Sequence, residues 1–99
     1  MNIKKYRIME ERYRLIKDLI EENKNEEAIK QLEDIIAKDN SQEMAYYLMG
    51  NIFRKKQDWA NAINNYTKAI DINPNSPAVQ AKKMSIEVLN FFNTDMYNH

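Results

Sequence analysis

Few side chains in this 99-residue sequence could carry covalent or acid–base chemistry. Cysteine is absent, and the one histidine is His99. Thiolate metal sites, disulfides and a cysteine nucleophile are thereby excluded. A lone imidazole at the end of the sequence serves neither a catalytic triad nor a multi-histidine metal site. The one glycine, Gly50, is too few for a phosphate-cradling loop, a dinucleotide fingerprint or a strained serine elbow. Carboxylates remain. Glu21-Glu22 and Glu26-Glu27 fall near expected helix ends, where solvated surface is their ordinary role, and the second pair faces a helix N-terminus favourably. The chain is therefore expected not to be an enzyme and to hold no catalytic residue, metal or cofactor.

Charge narrows the binding classes. Fifteen Lys and Arg balance fifteen Asp and Glu, whereas a nucleic-acid binder gathers a basic excess on one face. Residues 1–49 carry 9 basic and 11 acidic side chains, and residues 50–99 carry 6 and 4, so neither half is strongly charged. The stretch MNIKKYRIMEERYR is too charged for a signal-peptide core. The longest weakly polar run, Met44 to Phe53, is ten residues, about half of what spans a bilayer. A cytoplasmic protein without nucleic-acid or membrane partners is expected.

Helices must position whatever side chains do the work. Apolar residues recur at spacings of three and four: Met9, Tyr13, Ile16 and Ile20, then Ala28, Leu32, Ile35 and Ile36, then Tyr46, Met49 and Phe53, then Ala62, Tyr66, Ala69 and Ile70. Strand-like alternation persists nowhere, and scarce glycine disfavours hairpin-rich β folds. Helix-ending signals lie between these segments. Asn23-Lys24-Asn25 offers an asparagine for a left-handed residue. Asn40 with Glu43 reads as an N-cap and its acidic partner, Asp58 as the cap of a fourth helix, and Ser76 before Pro77 as the cap of a fifth. The spacing predicts an all-α fold with five helices near 4–22, 26–38, 42–56, 59–72 and 77–92 and a tail over 93–99, in one domain spanning 1–99. Short connections make neighbouring helices antiparallel hairpins.

Displacing the sequence by 34 residues lays Met9–Asn40 on Glu43–Pro74. Tyr13 meets Tyr47, Ala28 meets Ala62, Ile29 meets Ile63 and Ile36 meets Ile70, while Leu15, Leu19 and Leu32 meet Met49, Phe53 and Tyr66. The second copy resembles the tetratricopeptide repeat family at Tyr46, Met49, Gly50, Phe53, Ala62, Tyr66, Ala69 and Pro74, with Asp58-Trp59 opening its second helix. That resemblance implies helix hairpins stacked as a short right-handed superhelix: a degenerate repeat over 9–42, a well-formed repeat over 43–76 and a capping helix over 77–92. Glycine inside a helix costs about 0.5–1 kcal/mol relative to alanine, and the resemblance implies a facing helix pressed against Gly50. The first copy departs from the pattern. Arg12 stands in place of the large aromatic and Ile16 in place of the glycine, and Ile35 and Asn40 replace alanine and proline. The bulk of Ile16 should change the spacing of that hairpin. Gln80 and Lys83 suit a solvent-facing cap.

By the same resemblance, the concave groove binds a peptide or partner helix, and its residues are Tyr13, Lys17, Tyr47, Asn51, Arg54 and Lys55. Family members that grip a chaperone's C-terminal carboxylate need cations and asparagines where this chain has Tyr13, Lys17, Leu48, Ala78 and Lys82; only Lys82 keeps a required cation and no asparagine is kept. A non-catalytic protein-interaction module is the expected function. The alternative is a structural module that self-associates, as a homodimer, through its terminal helices, where Ile3, Tyr6 and Ile8 leave apolar surface. Phe91, Phe92 and Tyr97 allow two readings: Val88 and Phe92 pack on helices three and four while the tail folds back, or the three aromatics form a docking patch or fill the groove.

Overall fold

The computed structural model describes residues 3–97, with side chains described over 3–92. Five helices follow one another: α1 (Ile3–Glu21), α2 (Asn25–Lys38), α3 (Glu43–Lys55), α4 (Trp59–Ile72) and α5 (Ala78–Tyr97), and no strand occurs among the described residues. Each helix packs on the next in the chain, and α1 also touches α3. None is long and apolar enough to cross a membrane.

The 34-residue repeat is written into the backbone. Asn23 and its counterpart Gln57 both adopt φ 63°. At the end of α1, Lys24 N–H donates to Leu19 O at 2.8 Å and Asn23 N–H to Ile20 O at 3.1 Å; at the end of α3, Asp58 N–H donates to Phe53 O at 2.8 Å and Gln57 N–H to Arg54 O at 2.9 Å. These paired bonds close two matching left-handed helix ends. The other turns match as well. Asp39 Oδ1 accepts from Ser41 N–H and Asn73 Oδ1 from Asn75 N–H, each at 3.0 Å, so the side chain imitates a backbone turn. Asparagine was the expected left-handed residue at position 23, whereas Gln57 carries no such signal. Gln57→Gly should therefore stabilise the fold by about 0.5–1 kcal/mol, since a left-handed residue with a Cβ is strained; a rise in the urea midpoint checks this.

The interior has two clusters. The first joins Tyr13 and Ile16 to Ala28, Leu32 and Ile35 of α2 and to Ala45, Leu48 and Ile52 of α3. The second joins Ala62, Tyr66 and Ala69 of α4 to Ala78 and Ala81 of α5. Tyr47 packs against both.

Gly50 explains the second cluster. A methyl group built on it would lie 2.5 Å from Tyr66 Cδ1, so the glycine makes room for a fully buried ring. The first hairpin solves the same problem with the sizes exchanged: buried Ile16 stands at the glycine position and buried Leu32 at the tyrosine position. Correspondingly, α1 and α2 are less closely apposed than α3 and α4. Arg12, in place of an aromatic, clamps the hairpin by polar bonds instead. Its guanidinium donates to Gln31 Oε1 at 2.9 and 3.2 Å and to Asp34 Oδ2 at 2.9 Å.

Two expectations are corrected. Asn40 does not cap α3; Gln42 occupies that position without a side-chain cap bond. Glu43 is occupied elsewhere, accepting from Ser76 Oγ at 2.8 Å and from Asn73 Nδ2 at 3.3 Å. Nor does a tail begin at residue 93. No proline or glycine follows Pro77, and α5 continues to Tyr97. The expected caps Asp58 and Ser76 do act: Asp58 Oδ1 accepts from Asn61 N–H and Ser76 Oγ from Ala78 N–H. Gln80 and Lys83 are solvent-exposed, as a capping helix requires.

Candidate functional site

One face of α1 carries Tyr6, Met9, Tyr13 and Lys17 at helical spacing. Together with Gln42, Glu43 and Met44 at the start of α3 they line a depression of about 860 Å³. Aromatic and methionine side chains form much of it, with Lys5, Glu10, Arg14 and Lys17 at hand to orient a polar group. A second depression of about 580 Å³, at the α1–α2 turn, is lined by Asn23, Lys24, Asn25, Glu26, Glu27, Lys30 and Lys56 and offers no apolar anchor. Of the two, only the first combines aromatic and methionine side chains with charged ones.

A relay of hydrogen bonds sets the wall of this groove. Tyr13 Oη donates to Gln42 Oε1 at 2.9 Å, and Gln42 Nε2 donates to Asp39 Oδ2 at 2.9 Å. Ser41 adds its hydroxyl to Asp39 Oδ1 at 2.5 Å. The bonds from Ser41 and Gln42 hold the Asp39 carboxyl down to about 2. Burial, with the negative Asp39 nearby, pushes the Tyr13 phenol up to about 12, so it stays protonated and donating. Asp39, Ser41 and Gln42 were not anticipated as positioning residues. The signal was present, because an aspartate two residues before a serine is a side-chain turn motif.

The six residues expected in the groove take different positions. Tyr13 and Lys17 line the depression, Tyr13 with its ring largely buried and Lys17 exposed. Tyr47, Asn51 and Arg54 gather around Tyr66. Tyr66 Oη donates to Asn51 Oδ1 at 2.6 Å, and the Tyr47 and Tyr66 rings lie 6.0 Å apart. Burial raises the Tyr66 phenol to about 12 against the opposing pull of the Arg54 guanidinium. Lys55 reaches the end of α1, where its Nζ donates to Ile20 O at 2.8 Å and satisfies a terminal carbonyl. Phe91 and Phe92 are 71% and 58% exposed and meet edge to face at 5.7 Å. Val88, one turn before Phe92, is half-buried. The side chain of Tyr97 lies outside those described.

Comparison with known proteins agrees with the fold. The tetratricopeptide repeat profile matches residues 44–76. No curated protein sequence matches the chain. Among solved structures, the solution NMR structure of Bacteroides fragilis protein BF1650 is 49% identical, covers 86% of this chain and 87% of its own, and superposes with a TM-score of 0.78. The hairpins, the glycine that admits a facing ring, the matched turns and this likeness place the chain in the tetratricopeptide repeat family.

Proposed function

We propose that the protein is a non-catalytic interaction module that takes a peptide or partner helix into the groove along α1 and the start of α3. The observation that carries this reading is the depression itself: Tyr6, Met9 and Met44 form an apolar floor beside Tyr13 and Lys17 in a space of ligand size. Lys17 supplies an exposed cation at the groove for a ligand's carboxylates, whereas Arg54 stands apart in the last turn of α3, beside Tyr66. Tyr47, by its ring contact with Tyr66, and Asn51 and Lys55, by their hydrogen bonds, tie α3 to neighbouring helices. A second reading, a structural module that self-associates through its terminal helices, is favoured by exposed Ile3, Ile8, Phe91 and Phe92.

The test is selection of binders from a random peptide library on the purified protein. Selected peptides should lose about tenfold or more in affinity on Tyr6→Ser combined with Lys17→Glu, because aromatic anchors dominate such interfaces. They should keep their affinity on Glu33→Lys, an exposed change on α2 outside the groove. Equal binding to all three proteins would place the ligand elsewhere.

A further inference from the structure

We infer that α1 is a gate on the groove: it undocks as one unit from a body of α2 to α5 that stays folded, and the groove exists only while it is docked. The undocking stands on the packing of α1, whereas the gating rests on the reading of that groove as the ligand-binding face.

The packing of α1 is thin for its length. Tyr13 and Ile16 are its buried residues in 19, whereas α3 buries Ala45, Leu48, Gly50 and Ile52 in 13. From Ile3 to Ile8 every residue is exposed, and so is Leu15, at 51%. Among the described residues, α1 packs on its neighbours more sparsely than any other helix. Ordering a residue costs conformational entropy whether or not its side chain is buried, so α1 has little burial to offset a large cost. Polar bonds do much of the holding: Arg12 donates to Gln31 and Asp34 of α2, Tyr13 to Gln42, and Lys55 to the Ile20 carbonyl. The Arg12 and Asp34 side chains are 29% and 46% exposed, so water competes for that ion pair.

The body keeps packing of its own when α1 leaves. Ala28, Leu32 and Ile35 of α2 share a cluster with Ala45, Leu48 and Ile52 of α3, and the second cluster draws on α3, α4 and α5. Helices in proteins owe most of their stability to packing, so α1 unravels on undocking and its amides lose protection. The groove goes with it. Tyr6, Met9, Tyr13 and Lys17 are on α1, Gln42, Glu43 and Met44 are at the start of α3, and the Tyr13–Gln42 bond joins the two walls. A ligand touching both walls binds the docked chain and draws the equilibrium toward it.

The test is native-state amide hydrogen exchange of the full chain, read residue by residue by NMR. The amides of Tyr13 to Ile20 should share one opening and be protected about tenfold less, or weaker still, than those of Ile52 and Tyr66. Arg12→Ala, outside the groove lining, should speed α1 exchange about tenfold further through the lost charge-assisted bonds and leave α4 within about twofold. Protected α4 amides also verify that the variant folds. A library-selected peptide at about ten times its Kd should slow α1 exchange about tenfold. Equal protection in α1 and α4 of the unmodified chain overturns the inference. So does protection that declines smoothly from Ile20 toward Ile3, which is end fraying, or an Arg12→Ala effect spread evenly over all helices. A peptide that binds without slowing α1 overturns the gating together with the groove reading, whereas exchange of the free chain decides the undocking by itself.

Discussion

Gly50→Ile is expected to destabilise the fold by about 3 kcal/mol, the upper range for overpacking a filled core. The inserted side chain would enter the space of the Tyr66 ring, which is fully buried and held at its hydroxyl by Asn51, so it cannot swing aside. Tyr66→Leu alone should cost a similar amount, about 3 kcal/mol, from the cavity it leaves and the lost bond to Asn51. The double variant reproduces the pair already present in the first hairpin, Ile16 over Leu32. It should be 1–3 kcal/mol more stable than the sum of the single changes predicts, as roughly expected for residues that share one space. Urea unfolding of the four proteins measures the coupling. Additive losses would show that the two hairpins do not solve a common packing problem.

Ser76→Ala should cost about 2–3 kcal/mol, because Ser76 does two things from a buried position. Its Oγ accepts from Ala78 N–H to cap α5, and it donates to Glu43 Oε2 at 2.8 Å. A cap contributes about 1 kcal/mol and a hydrogen bond to a charged group about 1.5–3 kcal/mol. Glu43 also accepts from Asn73, so one carboxylate at the start of α3 ties down both ends of the α4–α5 turn. Glu43→Gln should lose part of the same stability, and the double variant less than the sum, since both changes remove one shared bond. A Ser76→Ala protein as stable as the wild type would mean that α5 is held by apolar packing alone.

The helices were legible because their periodicity is regular and their ends are chemically marked. Tyr13, Ile16, Ala28, Leu32, Ala62 and Tyr66 fall on buried faces as their spacing requires. Gly50 was legible through its rarity and its place in the repeat. Gln57 was not, because the turn that binds Asp58 to Phe53 imposes φ 63° on whatever residue stands there. Asn40 misled for a related reason: Glu43, which local spacing assigns to a cap, is drawn by a partner thirty-three residues away. The extent of α5 was missed because a tail without proline or glycine gives no stop signal. The groove was legible only along α1. Its other wall depends on Gln42, whose role follows from a turn that brings its side chain to the Tyr13 hydroxyl.

The central claim is that the α1–α3 depression is where this protein meets its ligand. Amide chemical-shift mapping of the full chain, titrated with a library-selected peptide, tests it most directly. The account predicts that the largest shifts run along Tyr6, Met9, Tyr13 and Lys17 and through Gln42 to Met44. Shifts confined to the outer surface of α2 and α4, with that line unmoved, would contradict it.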